Sequence, residues 1–157
     1  MLPKPFVGSF GIVSNDGIPK PNFWGFKMLS QLYPQRLLLP QTGEVDMGAF
    51  TDGETVQILM TPQSGDYYEN KRYDISLLLD FEASAVTVQR IDDAHCNPKR
   101  LWRELGAPDN LTRAQAREIA EKTRLTEEPL PFRAAGGKTE FSLSLFTNDV
   151  YLITVRA

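Results

Sequence analysis

The residues best suited to chemistry gather between Arg90 and Gly106. Cys96 is the single cysteine of the chain and His95 its single histidine, and the two are adjacent. A thiol nucleophile needs a base within hydrogen-bond reach, and adjacent side chains rarely aim at each other, so they do not read as a Cys–His catalytic couple. Asp92, Asp93, His95 and Asn97 form a polar cluster that could hold a cation. The same residues suit turn chemistry, in which Asx side chains bond nearby backbone and Asn97 caps a helix. Turn chemistry is the preferred reading, and no metal or other cofactor is expected.

Three further groups could act on a ligand or a partner. Glu44/Asp46 and Asp80/Glu82 are carboxylate pairs two residues apart, which on a strand share one face. They read as solubilising charges rather than a general acid and base. Tyr67 and Tyr68 lie in a loop with Asp66 and Glu69; they could stack on the apolar C–H face of a sugar ring, or cover a sheet edge. Phe23, Trp24, Phe26, Met28 and Leu29 are an aromatic and aliphatic stripe at helical spacing. Such a stripe needs burial, and if left open it favours a partner, including a second copy of the chain.

The elements that must position these groups are mostly strands. Residues 1–20 are rich in Gly and Pro and read as loop, with a short extended piece at Phe10–Val13 and a turn at Asn15–Asp16–Gly17. A helix is predicted over Asn22–Tyr33, ended by Pro34. Thr55–Met60, Tyr73–Asp80 and Ala85–Ile91 read as strands, the last two with period-two alternation. Asn97–Gly106 reads as a short helix with Asn97 as cap and Gly106 after its end. Thr112–Arg124 reads as a second, with a Thr112/Gln115 capping box and Leu111 stapled onto Ala116. The end reads as a hairpin, Glu140–Leu145 turning at Thr147–Asn148–Asp149 into Val150–Arg156. The fold class is therefore mainly β: an antiparallel β-sandwich with an N-terminal helix and two short helical excursions.

Composition limits the function classes. The chain has 157 residues, 41% hydrophobic and 24% charged, with a net charge of −3. That suits one ordinary domain, or one domain with a short attached element. A nucleic-acid partner would favour a dense Lys/Arg patch, and Lys99, Arg100 and Arg103 with Glu104 among them read instead as a solvated helix face. No apolar run approaches the roughly 20 residues a membrane helix needs. Met1–Phe6 lacks the apolar core of a signal peptide. A lone cysteine excludes an intrachain disulfide and favours a reducing compartment, the cytoplasm.

Two stretches carry a resemblance. One is Pro5-Phe6-Val7-Gly8-Ser9-Phe10-Gly11-Ile12, continued by Gly17-Ile18-Pro19-Lys20-Pro21 and Phe26-Lys27-Met28-Leu29. The other is Arg90-Ile91-Asp92-Asp93-Ala94-His95-Cys96-Asn97, continued by Leu101-Trp102 and Leu105-Gly106-Ala107-Pro108. In this order they resemble the C-terminal portion of glycoside hydrolase family 39, whose best-known members are β-xylosidases. The second stretch is the more specific, and the likeness runs from Pro5 to the final strands.

The resemblance implies a (β/α)₈ barrel followed by a β-sandwich. Residues 1–35 would be the remnant of the last barrel unit, loop plus helix, and residues 36–157 the sandwich domain. It places the two catalytic glutamates, about 5–5.5 Å apart in a retaining glycosidase, on earlier barrel strands, so no residue here inherits a catalytic role. Phe6, Gly8 and Phe10 match a loop near the substrate in an intact enzyme. The implied function is a non-catalytic accessory region, structural and oligomer-forming, with the barrel as partner or self-association through the first helix. The alternatives are a stand-alone carbohydrate-binding module and residual β-xylosidase activity.

Overall fold

A computed structural model describes residues 4–7, 10–39, 43–66 and 68–157. The chain groups into two compact units: Met1–Ser30 with Ile91–Leu125, and Gln31–Arg90 with Thr126–Ala157.

The second unit is an antiparallel β-sandwich. One sheet runs in the order β1 (Gln35–Leu37), β2 (Asp46–Thr51), β3 (Thr55–Thr61), β9 (Val150–Arg156), β5 (Ala85–Ile91) and β6 (Glu127–Pro129). The other runs β4 (Arg72–Leu79), β8 (Lys138–Phe146) and β7 (Arg133–Ala135). Their inner faces share one core. Ile58, Met60, Val86, Val88, Tyr151, Ile153 and Val155 come from the larger sheet, and Phe141 and Leu145 from the smaller. Tyr73, Ile75, Leu77 and Leu79 alternate with exposed neighbours along β4 and close the core at its edge. This is the alternation expected of a strand with one wet face.

Three features of this unit differ from the sequence reading. β8 and β9 are not a hairpin: they belong to opposite sheets. The Thr147–Asp149 link is drawn across the sandwich. The Thr147 N–H donates to Lys71 O (3.0 Å), ahead of β4, and the Asn148 N–H donates to Pro62 O (2.7 Å), after β3. Both strands bury alternate residues in the same core, so alternation alone cannot separate a hairpin from an arch. Second, β2 escaped notice because Asp46, Gly48 and Ala49 are poor strand formers. Pairing with β3 over Asp46↔Thr61 to Thr51↔Val56 overrides that preference. Third, β1, β6 and β7 are three-residue strands whose pattern is too short to read.

The first unit is helical. α1 spans Pro21–Leu29, ending four residues earlier than Tyr33. The Ser30 hydroxyl donates to Lys27 O (2.7 Å) and caps it. The residues beyond are claimed by buried Gln57 of β3, whose amide donates to Gln31 O (3.2 Å) and accepts from the Tyr33 N–H (2.9 Å). α2 spans Pro98–Glu104 and α3 spans Arg113–Lys122. α2 closes with Gly106 at φ 85°. There the Gly106 N–H donates to Arg103 O and the Ala107 N–H to Trp102 O (2.9 and 3.0 Å), the two bonds of a Schellman motif. The Thr112/Gln115 capping box of α3 is present in both directions. Phe10–Val13 forms no strand; a single bridge, Val13↔Pro19, spans the Asn15–Asp16–Gly17 turn. No helix among the described residues is long and apolar enough to cross a membrane.

Candidate functional site

The two sequence stretches singled out above meet in the first unit. Phe6 lies against Trp102, ring centroids 6.0 Å apart and planes at 58°. Ile18 and Ile119 complete a core of four buried side chains. Trp102 satisfies its indole by donating to Pro108 O (3.0 Å), and Lys4 pairs with Asp109 at 2.6 Å. Leu111 and Ala116 both pack on this core, which agrees with the expected staple.

Asp92, Asp93, His95 and Asn97 build a turn. Asp92 Oδ1 accepts from the Ala94 and His95 N–H groups (2.8 and 2.7 Å) and lies 2.7 Å from His95 Nδ1. Asn97 Oδ1 accepts from the Arg100 N–H (3.2 Å), the N-cap bond of α2, while its amide donates to Asp93. Asp92 Oδ1 and Asn97 Oδ1 are thus both engaged in the turn. Among the described residues, no three His, Cys, Asp or Glu side chains converge as metal ligands. Cys96 is buried at φ 57°. Burial, with the nearby Asp92 charge, pushes its thiol up to about 12, so it stays protonated where a nucleophile would have to ionise.

The other candidates fall in different units or outside the described residues. Phe10 is 93% exposed and Tyr68 is 96% exposed, and they belong to different units. Phe6 is a core residue. Gly8 and Tyr67 lie outside the described residues. On α1, Met28 is fully buried, Phe26 and Leu29 are exposed, and Phe23 and Trp24 are half-buried, their rings edge to face at 5.0 Å. The Trp24 indole N–H is buried with no hydrogen-bond partner among the described residues. Of the paired carboxylates, Glu44 forms an ion pair with Lys71, Asp80 lies 3.5 Å from Lys138, and Glu82 accepts from the Gly137 N–H (2.8 Å). A recess of about 110 Å³ opens between α2 and α3, lined by Leu101, Glu104, Leu105, Glu118, Ile119 and Lys122. Its charges are already paired, Glu104 with Arg100 and Glu118 with Lys122.

Sequence reasoning missed the Gln57 clamp and the Arg90 site. Arg90 donates to Glu128 (2.5 Å) and sits 5.7 Å from the Tyr151 ring centroid. An arginine at a core-facing position of β5, in step with Val86 and Val88, was the available signal.

The second unit is an antiparallel sandwich and the first a small helical unit, and the polar groups described above bond to turns, caps and neighbouring strands. The sequence profile of Glycosyl hydrolases family 39 matches residues 3–139, and the chain belongs to that family. It is 27% identical to a β-xylosidase from Caldicellulosiruptor saccharolyticus, over 97% of this chain and 32% of that protein. It is 29% identical to a β-xylosidase from Geobacillus stearothermophilus, over 98% of this chain and 30% of that protein. The chain thus spans about a third of the length of these curated relatives. Among solved structures it is similar in fold to a family 39 enzyme from Xanthomonas axonopodis pv. citri. That match has a TM-score of 0.74 at 21% identity, covering 98% of this chain and 33% of the other. A monomeric β-xylosidase from Caulobacter crescentus matches with a TM-score of 0.70 at 23% identity, covering 98% and 34%.

Proposed function

We propose that this chain is the C-terminal accessory region of a β-xylosidase-like family 39 glycoside hydrolase, structural rather than catalytic by itself. The observation that carries this reading is the coverage: nearly all of this chain aligns with about a third of two β-xylosidases. Residues 1–35 are the last unit of the barrel and residues 36–157 the sandwich domain that follows, although its helical excursion Ile91–Leu125 groups with the first unit and not with the strands. The barrel glutamates that would flank a glycosidic bond belong to the remaining two thirds. The exposed Phe26 and Leu29 of α1 are its contact toward that barrel. In the chain alone, the same helix face is one of the surfaces open to self-association. A reducing compartment, the cytoplasm, suits the single buried cysteine.

The test is an assay of the chain with aryl β-xylosides, where no turnover is expected. Hydrolysis that survives rigorous purification would end the accessory reading. A second reading, a carbohydrate-binding module, is favoured by the exposure of Phe10 and Tyr68. Titration with xylo-oligosaccharides, followed by tryptophan fluorescence, separates the two: a saturable response supports the module.

A further inference from the structure

We infer that β4 is a pairing edge for a second copy of this chain, joined antiparallel about a twofold axis at Ser76. β4 is the terminal strand of its sheet and, among the described strands, pairs only with β8. Its eight residues hold an unbroken register, Arg72↔Phe146 to Leu79↔Thr139, so no bulge bends the edge away. Arg72–Leu79 also contains no proline, glycine or lysine. Bulges, prolines and edge lysines are the devices that block edge-to-edge pairing, and a long flat edge without them is a template for another strand. Its core-facing row, Tyr73, Ile75, Leu77 and Leu79, is only partly buried within one chain.

Charge selects the occupant and the register. A twofold axis perpendicular to the sheet pairs residues whose side chains share a face, so it must pass through a residue position. An axis at Asp74 sets Asp74 against its own copy, and an axis at Leu77 sets Asp74 against Asp80. Like charges directly opposite are destabilising. An axis at Ser76 brings Arg72 of each copy, which also pairs with Asp74 of its own strand at 2.9 Å, beside Asp80 of the other, the first residue past the end of β4, at both ends of the contact. It also sets Tyr73 opposite Leu79 and Ile75 opposite Leu77 on the core face. An axis at Ile75 forms no charge pair within the strand. The Asp80 side chain is 90% exposed and its own Lys138 contact is loose, at 3.5 Å. The strand is therefore complementary to itself, and the product is a six-stranded sheet shared by two sandwiches.

Sedimentation velocity of the full chain across a concentration series tests this. A reversible monomer–dimer equilibrium is expected. Arg72→Glu and Asp80→Lys should each weaken the dimer roughly tenfold, as surface charge pairs repeated at two symmetric contacts would. The double variant should recover most of the loss. It retains any strain between the carboxylate introduced by Arg72→Glu and Asp74 within one chain, so recovery reports only the contact between copies. Deuterium exchange gives a measure independent of the variants' folding: β4 amides of the unaltered chain should gain protection as concentration rises. A strictly monomeric profile overturns the inference. So do equal dimer strength in the single variants, no recovery in the double, or concentration-independent exchange along β4. Loss of the dimer on Leu29→Glu, with β4 variants silent, would move the contact to α1.

Discussion

The sandwich and the helical unit bury their apolar residues very differently. The sandwich has a continuous core drawn from both sheets, closed by long ladders between β2, β3 and β9 and between β4 and β8. The helical unit has Phe6, Ile18, Trp102 and Ile119, tied together by caps, a Schellman motif and one ring contact. Between Val7 and Leu29 it also leaves six large apolar side chains exposed among the described residues, from Val7 and Phe10 to Phe26 and Leu29. The sandwich also leaves Leu37, Leu38, Leu39, Tyr68, Leu78 and Phe146 exposed, so the difference lies in the core and not in the exposed surface. A unit held by local hydrogen bonds over a small core opens first.

The strongest way to break the comparison is in the sandwich core. Leu145 is fully buried, and Leu145→Ala should cost about 2–5 kcal/mol, as large-to-small core changes do. Denaturant unfolding should show that loss as a lower midpoint. A loss below about 1 kcal/mol would mean the sandwich is not the cohesive part. In the helical unit, Trp102→Phe removes the indole bond to Pro108 and part of the contact with Phe6. About 1–2 kcal/mol is expected, read as faster amide exchange confined to Ile91–Leu125. Uniform acceleration over both units would show that they open together. A smaller local effect follows at the α3 cap, where Thr112→Ala should cost about 1 kcal/mol and loosen the first turn of α3.

The same contrast explains what was legible in the sequence. The caps of α2 and α3 were readable because a cap is local: Asn97, Gly106, Thr112 and Gln115 act within a few residues of each other. Strands β4 and β5 were readable because one buried face imposes alternation. Whether β8 turns back on itself or crosses to the other sheet was not readable, since that depends on Lys71 and Pro62, more than seventy residues away. The stretch after α1 was misread for the same reason, since Gln57 of β3 holds Gln31 and Tyr33. For the site, the two quoted stretches share a core in the structure, at Phe6 and Trp102. Phe6 looked like a ligand-facing loop residue because nothing local announces that its ring turns inward.

Acid should act on the sandwich, while alkali should act on both units, through Lys71, raised by its Glu44 partner, in the sandwich and Cys96 in the helical unit. The Thr87 hydroxyl and Arg156 hold Glu127 below the usual carboxylate range; the Ser144 hydroxyl and Arg72 do so for Asp74; the Thr55 and Glu54 N–H groups do so for Asp52. All three lie in the sandwich. A depressed carboxylate stabilises the folded chain above its ordinary value, 3.8 for Asp and 4.5 for Glu, and that support is lost as pH falls through the lowered folded value. Cys96 has the opposite sign. Its thiol is raised from 9.0 to about 12, so its support is complete below pH 9 and lost as pH rises from there toward 12. Melting in acid should flatten with Glu127→Gln, and melting in alkali should flatten with Cys96→Ala. An alkaline limb unchanged by Cys96→Ala would locate the base-sensitive group elsewhere.

The smallest effect on stability carries the most information about the exposed surface of α1. Phe26 is 62% exposed and Leu29 is 53% exposed, so Leu29→Glu removes little buried area in the isolated chain. Its stability should change by no more than about 0.5 kcal/mol, the usual range for surface positions. Glutamate forms helix about as well as leucine, and Leu29→Gln serves as the control for the charge that Leu29→Glu places at the negative end of α1. If the melting temperature falls by several degrees, Leu29 is already covered and the helical unit is more complete than its exposure suggests. If stability holds, the same substitution placed in an intact barrel–sandwich enzyme becomes decisive. A surface that is neutral alone but costly there is a contact surface. Equal neutrality in both would make the exposed face of α1 mere surface and return the first unit to the same footing as the sandwich.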